Sequence, residues 1–245
     1  MAGLDVVLRA QSTYAGVIIR SRYAEDALAA AVARGARQYV LVGAGFDSFI
    51  ARQPAFASGI EVFEIDHPAS QAMKRRRLDE CGVAVPPNVH FVSADLSEES
   101  LGAALSRSTF SATVPAFFSW LGVTIYLTRE ANLATLCGIA SSAAPGSEVV
   151  FNYIHQAVIE LAAGASATLD RARASAAAVG EPWLSGFHPS RLATDLRELG
   201  LTLLEDLGGN ELRERYCAGR TDGLTPSPAG RIAHARVGAA TPGFT

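Results

Sequence analysis

Cysteine is scarce in this sequence of 245 residues, and its positions argue against two common uses of the residue. Cys81, Cys137 and Cys217 lie far apart, and none of them belongs to a Cys-x-x-C motif or to a Cys/His cluster with metal-ligand spacing. The sequence therefore predicts neither a disulfide framework nor a metal site. Unpaired thiols are typical of a reducing compartment, so we expect a cytoplasmic location.

Long apolar runs and an excess of basic charge are also missing. No apolar stretch approaches the roughly 18 residues needed to cross a bilayer, and no charged region precedes an apolar core at the N-terminus. A formal net charge of −3 provides no basic face for nucleic acid. The basic residues 74–77 are interpreted as a solvated helix face. We expect no membrane and no nucleic acid among the partners, and the oligomeric state stays open.

A glycine turn between two apolar segments is the most informative feature that is present. Residues 39–42 are typical of a buried strand, which breaks at Gly43-Ala44-Gly45, and a second apolar strand ends on the acids Glu64 and Asp66. Each glycine precedes one of these acids by 21 residues. This spacing is typical of a strand-turn-helix-strand unit that binds an adenosine-containing cofactor and offers an acid to its ribose.

The residues after the turn indicate which cofactor it binds. A dinucleotide motif has Gly or Ala where this chain has Ser48, and Asp47 in the first helical turn would repel a pyrophosphate. The same acid is compatible with S-adenosylmethionine, which carries a sulfonium and an ammonium group. A Tyr-x-x-x-Lys pair is absent as well. We predict S-adenosylmethionine as the cofactor, and the alternatives are an NAD-dependent oxidoreductase and a non-catalytic cofactor-binding protein.

Strands alternate with helical segments along the chain, which predicts an α/β fold. The predicted strands are residues 38–43, 60–65, 89–92, 116–120, 148–153, 201–205 and 232–237. We expect a Rossmann-like, seven-stranded, mostly parallel sheet with helices on both faces. One domain over 1–245 would contain N-terminal helices over about 1–36 and a helical lid insertion over about 155–187.

Local signals add detail to this outline. Pro68 and Thr128 are typical of helix starts, and Ser97 is a predicted N-cap. Residues 155–179 read as a long alanine-rich helical stretch, and the breaker-rich loop that follows carries Trp183 and Phe187 as an aromatic cover over the strand ends.

The glycine turn is one of several short segments that follow one another from about Tyr14 to Val237. They are Arg20-Ser21-Arg22-Tyr23-Ala24-Glu25-Asp26, Gly43-Ala44-Gly45-Phe46-Asp47-Ser48, Phe63-Glu64-Ile65-Asp66-His67-Pro68, Ser93-Ala94-Asp95-Leu96, Trp120-Leu121-Gly122-Val123-Thr124-Ile125-Tyr126-Leu127, Gly180-Glu181-Pro182-Trp183 and Arg215-Tyr216 with Ala218-Gly219-Arg220. Together they resemble the leucine carboxyl methyltransferase-like family of class I S-adenosylmethionine-dependent methyltransferases, in its bacterial O-methyltransferase branch.

The resemblance implies roles for individual residues. Asp66 would bind the ribose hydroxyls, Asp95 the adenine amino group, and the amide of Leu96 a ring nitrogen, while Arg20 or Arg22 would grip the methionine carboxylate. The predicted cofactor-binding set is Arg20, Arg22, Gly43, Ala44, Gly45, Asp47, Glu64, Asp66, Asp95 and Leu96. The structural alternatives are a helix N-cap for Asp66, a turn for Asp95, an ion pair with an arginine for Glu64, and ion pairs with Glu25 or Asp26 for the arginines.

One position departs from the family pattern. Many relatives have Glu-Gly after the fourth strand, where the Glu contacts the amino end of the cofactor, whereas this chain has Leu121-Gly122. For the acceptor we expect a small-molecule carboxylate or hydroxyl, as in secondary metabolism. A hydroxyl of high pKa benefits from a base, which His155 or His188 would supply, and Tyr126 would line the pocket. A structural or surface role is the alternative for each.

Overall fold

In the computed structural model, which describes residues 12–178 and 180–238, strands and helices alternate along the chain. The strands are β1 Gln38–Val42, β2 Glu61–Asp66, β3 Val89–Ser93, β4 Ala116–Trp120, β5 Glu148–Ile154, β6 Leu201–Leu207 and β7 Gly230–Val237. The helices are α1 Ser12–Ala33, α2 Phe49–Arg52, α3 Pro68–Glu80, α4 Leu101–Ser106, α5 Arg129–Ser142, α6 Gln156–Glu160, α7 Ala167–Ala178, α8 Pro189–Glu198 and α9 Gly209–Cys217. Short 3-10 segments cover Ala55–Gly59 and Thr124–Tyr126.

The predicted boundaries extend beyond this description at three places. Residues 1–11 of the predicted N-terminal helices, Val179 within the predicted lid, and residues 239–245 of the predicted domain lie outside the described residues. No helix within the described ranges has the length and hydropathy needed to cross a bilayer.

The strands of the described residues form one seven-stranded sheet in the order β3-β2-β1-β4-β5-β7-β6. Strands β1 to β5 pair in parallel, and β7 pairs antiparallel with both β5 and β6. The predicted α/β class with a mostly parallel sheet is therefore confirmed. Because the chain moves outward in one direction from β1 and in the other from β4, a crevice opens at the carboxyl ends of these two strands, where ligands bind in such sheets.

Helices cover both faces of the sheet, so the central strands are almost continuously apolar. One core cluster packs Phe118 and Phe151 against α4, α5 and α8. The other packs Tyr39 and Phe117 against α1. As a result, α1 covers one face of the sheet, and Arg20 of this helix reaches Gly122 in the loop after β4.

Several local predictions differ from the structure. The stretch 155–179 is not one helix, because α6 and α7 are separated by a turn in which Gly164 has a φ of +88°. The N-cap of α4 is Ser100 rather than Ser97. Phe187 belongs to the main core, 1% exposed, instead of covering the strand ends. The helix starts predicted at Pro68 and Thr128 are confirmed.

An ion network at the amino end of the sheet joins α1, β5 and β7. Glu148, the first residue of β5, accepts hydrogen bonds from Arg34 Nη2 at 2.8 Å and Arg236 Nη2 at 3.0 Å, and its Oε2 lies 2.9 Å from His234 Nε2. Burial alone would raise the pKa of this carboxyl, but the hydrogen bonds from His234, Arg34 and Arg236 outweigh it and lower the pKa to about 2.

This shift predicts how the network contributes to stability. Because the folded pKa of Glu148 lies below its ordinary value of 4.5, the carboxylate stabilises the fold at neutral pH, and that contribution disappears as the pH falls from 4.5 towards 2. We expect Glu148→Gln to lower the free energy of unfolding at neutral pH by about 2 kcal/mol and to flatten its acid dependence. Urea unfolding across this pH range measures both quantities. The exposed Glu80→Gln is the control, and an unchanged acid dependence in Glu148→Gln would contradict the assignment.

Candidate active site

The glycine turn lies at the carboxyl end of β1 and is tied to the end of β2. The amides of Gly43 and Ala44 donate to the carbonyl of Ile65 at 2.9 and 3.1 Å, and the amide of Gly45 donates to Asp66 Oδ2 at 2.5 Å. Gly43 and Gly45 have φ angles of +67° and +46°, which favour glycine. A Cβ at Gly43 would meet a side-chain carbon at 2.8 Å, but one at Gly45 would meet nothing within 4 Å. Gly45 is therefore the point of the turn that a ligand can approach.

Two acids flank this open position. Asp66 is half-buried, and its Oδ1 accepts the amide of His67 at 2.7 Å while Oδ2 accepts that of Gly45. Asp47 Oδ1 accepts the amide of Phe49 at 2.7 Å. The N-cap of α3 is His67 and not Asp66, so Asp66 does not take the capping role considered as its alternative.

Arg20 of α1 places a cation beside the same turn. Its guanidinium packs on Gly122, where an added Cβ would lie 2.6 Å from Nη2. Burial lowers the pKa of Arg20, and Tyr126 and Asp47 act on it in the opposite direction. Among the residues that the structure describes, no side chain or carbonyl forms a hydrogen bond or ion pair with Arg20.

Arg22, the other predicted arginine, is on the surface instead. Its side chain is 68% exposed, and Nε donates to Asp26 Oδ1 at 2.9 Å. Glu25 pairs with Arg52. The two arginines of the motif therefore lie in different places. Arg20 is at the glycine turn, whereas Arg22 forms the surface ion pair that was considered as its alternative.

Glu64 lies in a buried ion pair with Lys74 of α3. The Lys74 Nζ is 2.7 Å from both carboxyl oxygens, and the two side chains are 1% and 4% exposed. Burial raises the pKa of the Glu64 carboxyl to about 7, against the opposing effect of Lys74. Glu64 thus forms the structural ion pair considered as its alternative, with a lysine in place of the expected arginine. The interpretation of Lys74 as part of a solvated helix face was wrong, because this lysine is buried.

Asp95 follows β3 and forms a tight turn. Its Oδ1 accepts hydrogen bonds from the hydroxyl and the amide of Ser97 at 2.6 and 2.9 Å. These hydrogen bonds lower the pKa of Asp95. Its Oδ2 lies 3.6 Å from His67 Nε2. Leu96 packs partly against the main core. Asp95 therefore forms the turn that was considered as its structural alternative. Its side chain is nevertheless accessible at the carboxyl end of β3.

The two histidines predicted near the acceptor lie beside each other at the end of β5. The ring centroids of His155 and His188 are 6.2 Å apart, and His188 Nε2 is 3.9 Å from Glu160 Oε1. His155 Nδ1 accepts the amide of Ala157 at 3.1 Å and so caps α6. The structure thus brings together two residues that are 33 positions apart in the sequence.

Tyr126 belongs to the Arg20 side of the site. Burial and Glu181 raise the pKa of its hydroxyl, and Arg20 opposes them. Within the described ranges, no hydrogen bond or ion pair connects Tyr126 with His155 or His188. Leu121, at the position where the family pattern has Glu, packs against the core cluster that contains α1.

Two residues at the end of β5 have partners that the sequence analysis did not predict. Tyr153 is buried, and its hydroxyl bonds to Asp206 at 2.9 Å. Asn152 is half-buried, and its Oδ1 accepts the amide of Gly122 at 2.6 Å. No local signal reveals this contact, because 30 residues separate its partners.

Similarity to known proteins accords with this geometry. The sequence profile of the leucine carboxyl methyltransferase family matches residues 6–140. The Bacillus subtilis protein YktD, whose name assigns it to the S-adenosyl-L-methionine-dependent methyltransferases, is 34% identical over 208 residues, which cover 85% of this chain and 68% of that protein. The chain belongs to the leucine carboxyl methyltransferase family. It spans about half the length of several other curated relatives that it matches.

Solved structures share the fold of this leucine carboxyl methyltransferase family member. A DUF574-family protein from Streptomyces avermitilis matches with a TM-score of 0.66 at 17% identity, over 92% of this chain and 85% of that one. The magnesium protoporphyrin IX methyltransferase of Synechocystis, with bound S-adenosylhomocysteine, matches with a TM-score of 0.54 at 12% identity, over 96% and 94%. The fold follows from these structures, while the family and YktD establish an S-adenosylmethionine-dependent methyltransferase. This excludes the NAD-dependent alternative.

The crevice of this methyltransferase fits its cofactor. Gly45 leaves room for a ligand, Asp66 provides a carboxylate at the end of β2, and Arg20 provides a cation across the turn. S-adenosylmethionine has a complementary set of groups, namely ribose hydroxyls and a methionine carboxylate. The described residues contain no group of three His, Cys, Asp or Glu side chains that would hold a metal ion.

The open space at Gly45 predicts a selective mutation. In Gly45→Val the branched side chain would fill the space that the cofactor needs, so we expect binding of S-adenosylhomocysteine to be lost. Gly82→Val is the matched control, because Gly82 also has a positive φ, +65°, with nothing within 4 Å of an added Cβ. Calorimetric titration and thermal unfolding of both variants separate binding from stability. A folded Gly45→Val that binds normally would show that this turn does not hold the cofactor.

Proposed function

We propose that this methyltransferase transfers the methyl group to an oxygen atom of a small molecule, a carboxylate or a hydroxyl, in cytoplasmic secondary metabolism. The observation that carries the proposal is the pair His155 and His188 beside each other at the end of β5. An imidazole can donate to a carboxylate when it is protonated, and it can take a proton from a hydroxyl when it is neutral. Both roles serve an oxygen acceptor.

Residues on the α1 side of the site would hold the cofactor. Arg20 would receive the methionine carboxylate, because a guanidinium binds a carboxylate through two parallel hydrogen bonds. Asp66 would accept the ribose hydroxyls, and Asp95 with the amide of Leu96 would read the adenine. Gly43, Ala44, Gly45 and Asp47 form the turn that lies against the cofactor. The bound cofactor supplies an electrophilic methyl group on a sulfonium.

The segment around Trp183 would close the acceptor side. The amide of Leu184 donates to the carbonyl of Ile125 at 2.8 Å, which fastens this segment to the 3-10 turn that carries Tyr126. Trp183 is half-buried, and Leu184 next to it is exposed. An apolar cover of this kind excludes water from the strand ends and brings an acceptor close to the methyl group.

The first test concerns the cofactor side. We expect Arg20→Met and Asp66→Ala each to weaken S-adenosylhomocysteine binding by about 1.5–3 kcal/mol, because each removes a charged hydrogen-bonding group. Arg22→Met is the matched control from the same helix, and its affinity should stay within about twofold, since Arg22 pairs with Asp26 on the surface. Calorimetric titration gives all four affinities, including that of the wild type. Equal effects of Arg20→Met and Arg22→Met would contradict the role of Arg20.

The second test concerns the acceptor. Transfer of labelled methyl groups to panels of carboxylic acids and phenols should give products whose alkaline lability distinguishes an ester from an ether. With a hydroxyl acceptor we expect His155→Gln or His188→Gln to lower kcat by about 10²–10⁴, as for a lost general base. With a carboxylate acceptor kcat should change little. His90→Gln is the control, because His90 lies on β3 and bonds to Glu61 at 2.6 Å. Methylation confined to nitrogen or sulfur acceptors would overturn the proposal.

A further inference from the structure

The loop after β4 forms a surface on which the Arg20 guanidinium packs. Gly122 in this loop has a φ of +77°, and an added Cβ there would lie 2.6 Å from Nη2, 3.1 Å from Cζ and 3.2 Å from Nη1 of Arg20. All three atoms are closer than ordinary carbon contacts allow. Only a residue without a side chain permits the observed position of the guanidinium.

Asn152 of β5 holds this loop in place. The register of β4 with β5 ends at Trp120 opposite Phe151, so the amide of Gly122 lies beyond the last strand pair. Asn152 Oδ1 accepts that amide at 2.6 Å. A backbone amide that lacks a strand partner needs another acceptor, and the side chain of Asn152 supplies it at the point where the two strands separate.

The same residue holds the loop at a second point. The carbonyl of Asn152 accepts Thr124 Oγ1 at 2.7 Å. The carbonyl of Thr124 in turn accepts Nδ2 of Asn132, a fully buried residue of α5, at 2.8 Å. Asn132 Nδ2 also donates to Ser185 Oγ at 3.0 Å. The loop that supports Arg20 is thus bound on both sides of Val123 by one residue and is anchored to the segment next to Trp183.

We infer that Asn152 is a positioning residue of this methyltransferase: by holding Gly122 it sets the place of the Arg20 guanidinium and so the affinity for the carboxylate of the cofactor. The inference rests on the role proposed above for Arg20. Two parallel hydrogen bonds between a guanidinium and a carboxylate require a fixed orientation of both planes. A loop that moves under Arg20 would therefore weaken the recognition of the amino-acid part of the cofactor and leave that of the adenosine part.

Two ligands separate these effects. S-adenosylhomocysteine contains the carboxylate, and 5′-methylthioadenosine has the same adenosine and sulfur without the amino-acid part. For Asn152→Leu we expect an affinity for S-adenosylhomocysteine about tenfold lower than in the wild type, and an affinity for methylthioadenosine within about twofold. Gly122→Ala should show the same selectivity, because its Cβ would displace the guanidinium. This second variant tests the inference without the loss of Asn152.

Each variant has a matched control. Asn88 likewise joins distant backbone through its side-chain amide, but at the amino end of the sheet, where Nδ2 donates to the carbonyls of Ala57 at 3.2 Å and Ile60 at 2.7 Å. Gly146 has a φ of +84° with nothing within 4 Å of an added Cβ. Asn88→Leu and Gly146→Ala should lower thermal stability and keep the wild-type ratio of the two affinities. A merely structural role of Asn152 predicts the same unchanged ratio for Asn152→Leu.

Arg20→Met distinguishes a failure of this inference from a failure of the proposed cofactor site. In one outcome, Arg20→Met loses affinity for S-adenosylhomocysteine but not for methylthioadenosine, while Asn152→Leu and Gly122→Ala keep the wild-type ratio of the two affinities. The inference is then overturned, and the role of Arg20 stands. If Arg20→Met binds both ligands as the wild type does, the role of Arg20 is overturned, and the inference with it. Selective loss in all three variants supports both.

Discussion

The bond between the glycine turn and the end of β2 is the constraint on which the site depends. Three successive amides, those of Gly43, Ala44 and Gly45, donate to the last two residues of β2, Ile65 and Asp66. These bonds continue the parallel pairing of β1 with β2 into the turn, so the backbone has no freedom to fold across the crevice. The same bonds orient the Asp66 carboxylate towards Gly45, the position that is open to a ligand. The strand order then brings the loop after β4 to the other side of that opening.

Charge is distributed unequally around this turn. Asp47, Glu64 and Asp66 all lie near it, and the charges of Asp47 and Asp66 help to raise the pKa of the buried Glu64. Lys74 compensates for one of them inside the protein, where Glu64 is buried, and leaves the two accessible acids to the crevice. Arg20 of α1 interacts electrostatically with one of these two, Asp47. A ligand that carries both a carboxylate and cationic groups is favoured by such a pattern, whereas a pyrophosphate is not.

The proposed site has two halves that are held by different parts of the chain. The proposed cofactor half consists of strand ends and α1, which belong to the central sheet and its cover. The proposed acceptor half consists of α6, the segment around Trp183 and the start of α8, and Phe187 fastens it to the main core. Buried polar bonds of Asn132 connect the halves through Thr124 and Ser185.

The sequence by itself determined the alternation of strands and helices, the turn at Gly43-Ala44-Gly45 and the cofactor class, because these depend on local patterns and on spacings within one βα unit. It did not determine which arginine faces the turn, since Arg20 and Arg22 lie on one helix and only the packing of α1 on the sheet separates them. Nor could it show that Lys74 is buried, that Phe187 joins the core, or that Asn152 binds Gly122. Those facts arise from contacts between distant segments, which the tertiary structure alone brings together.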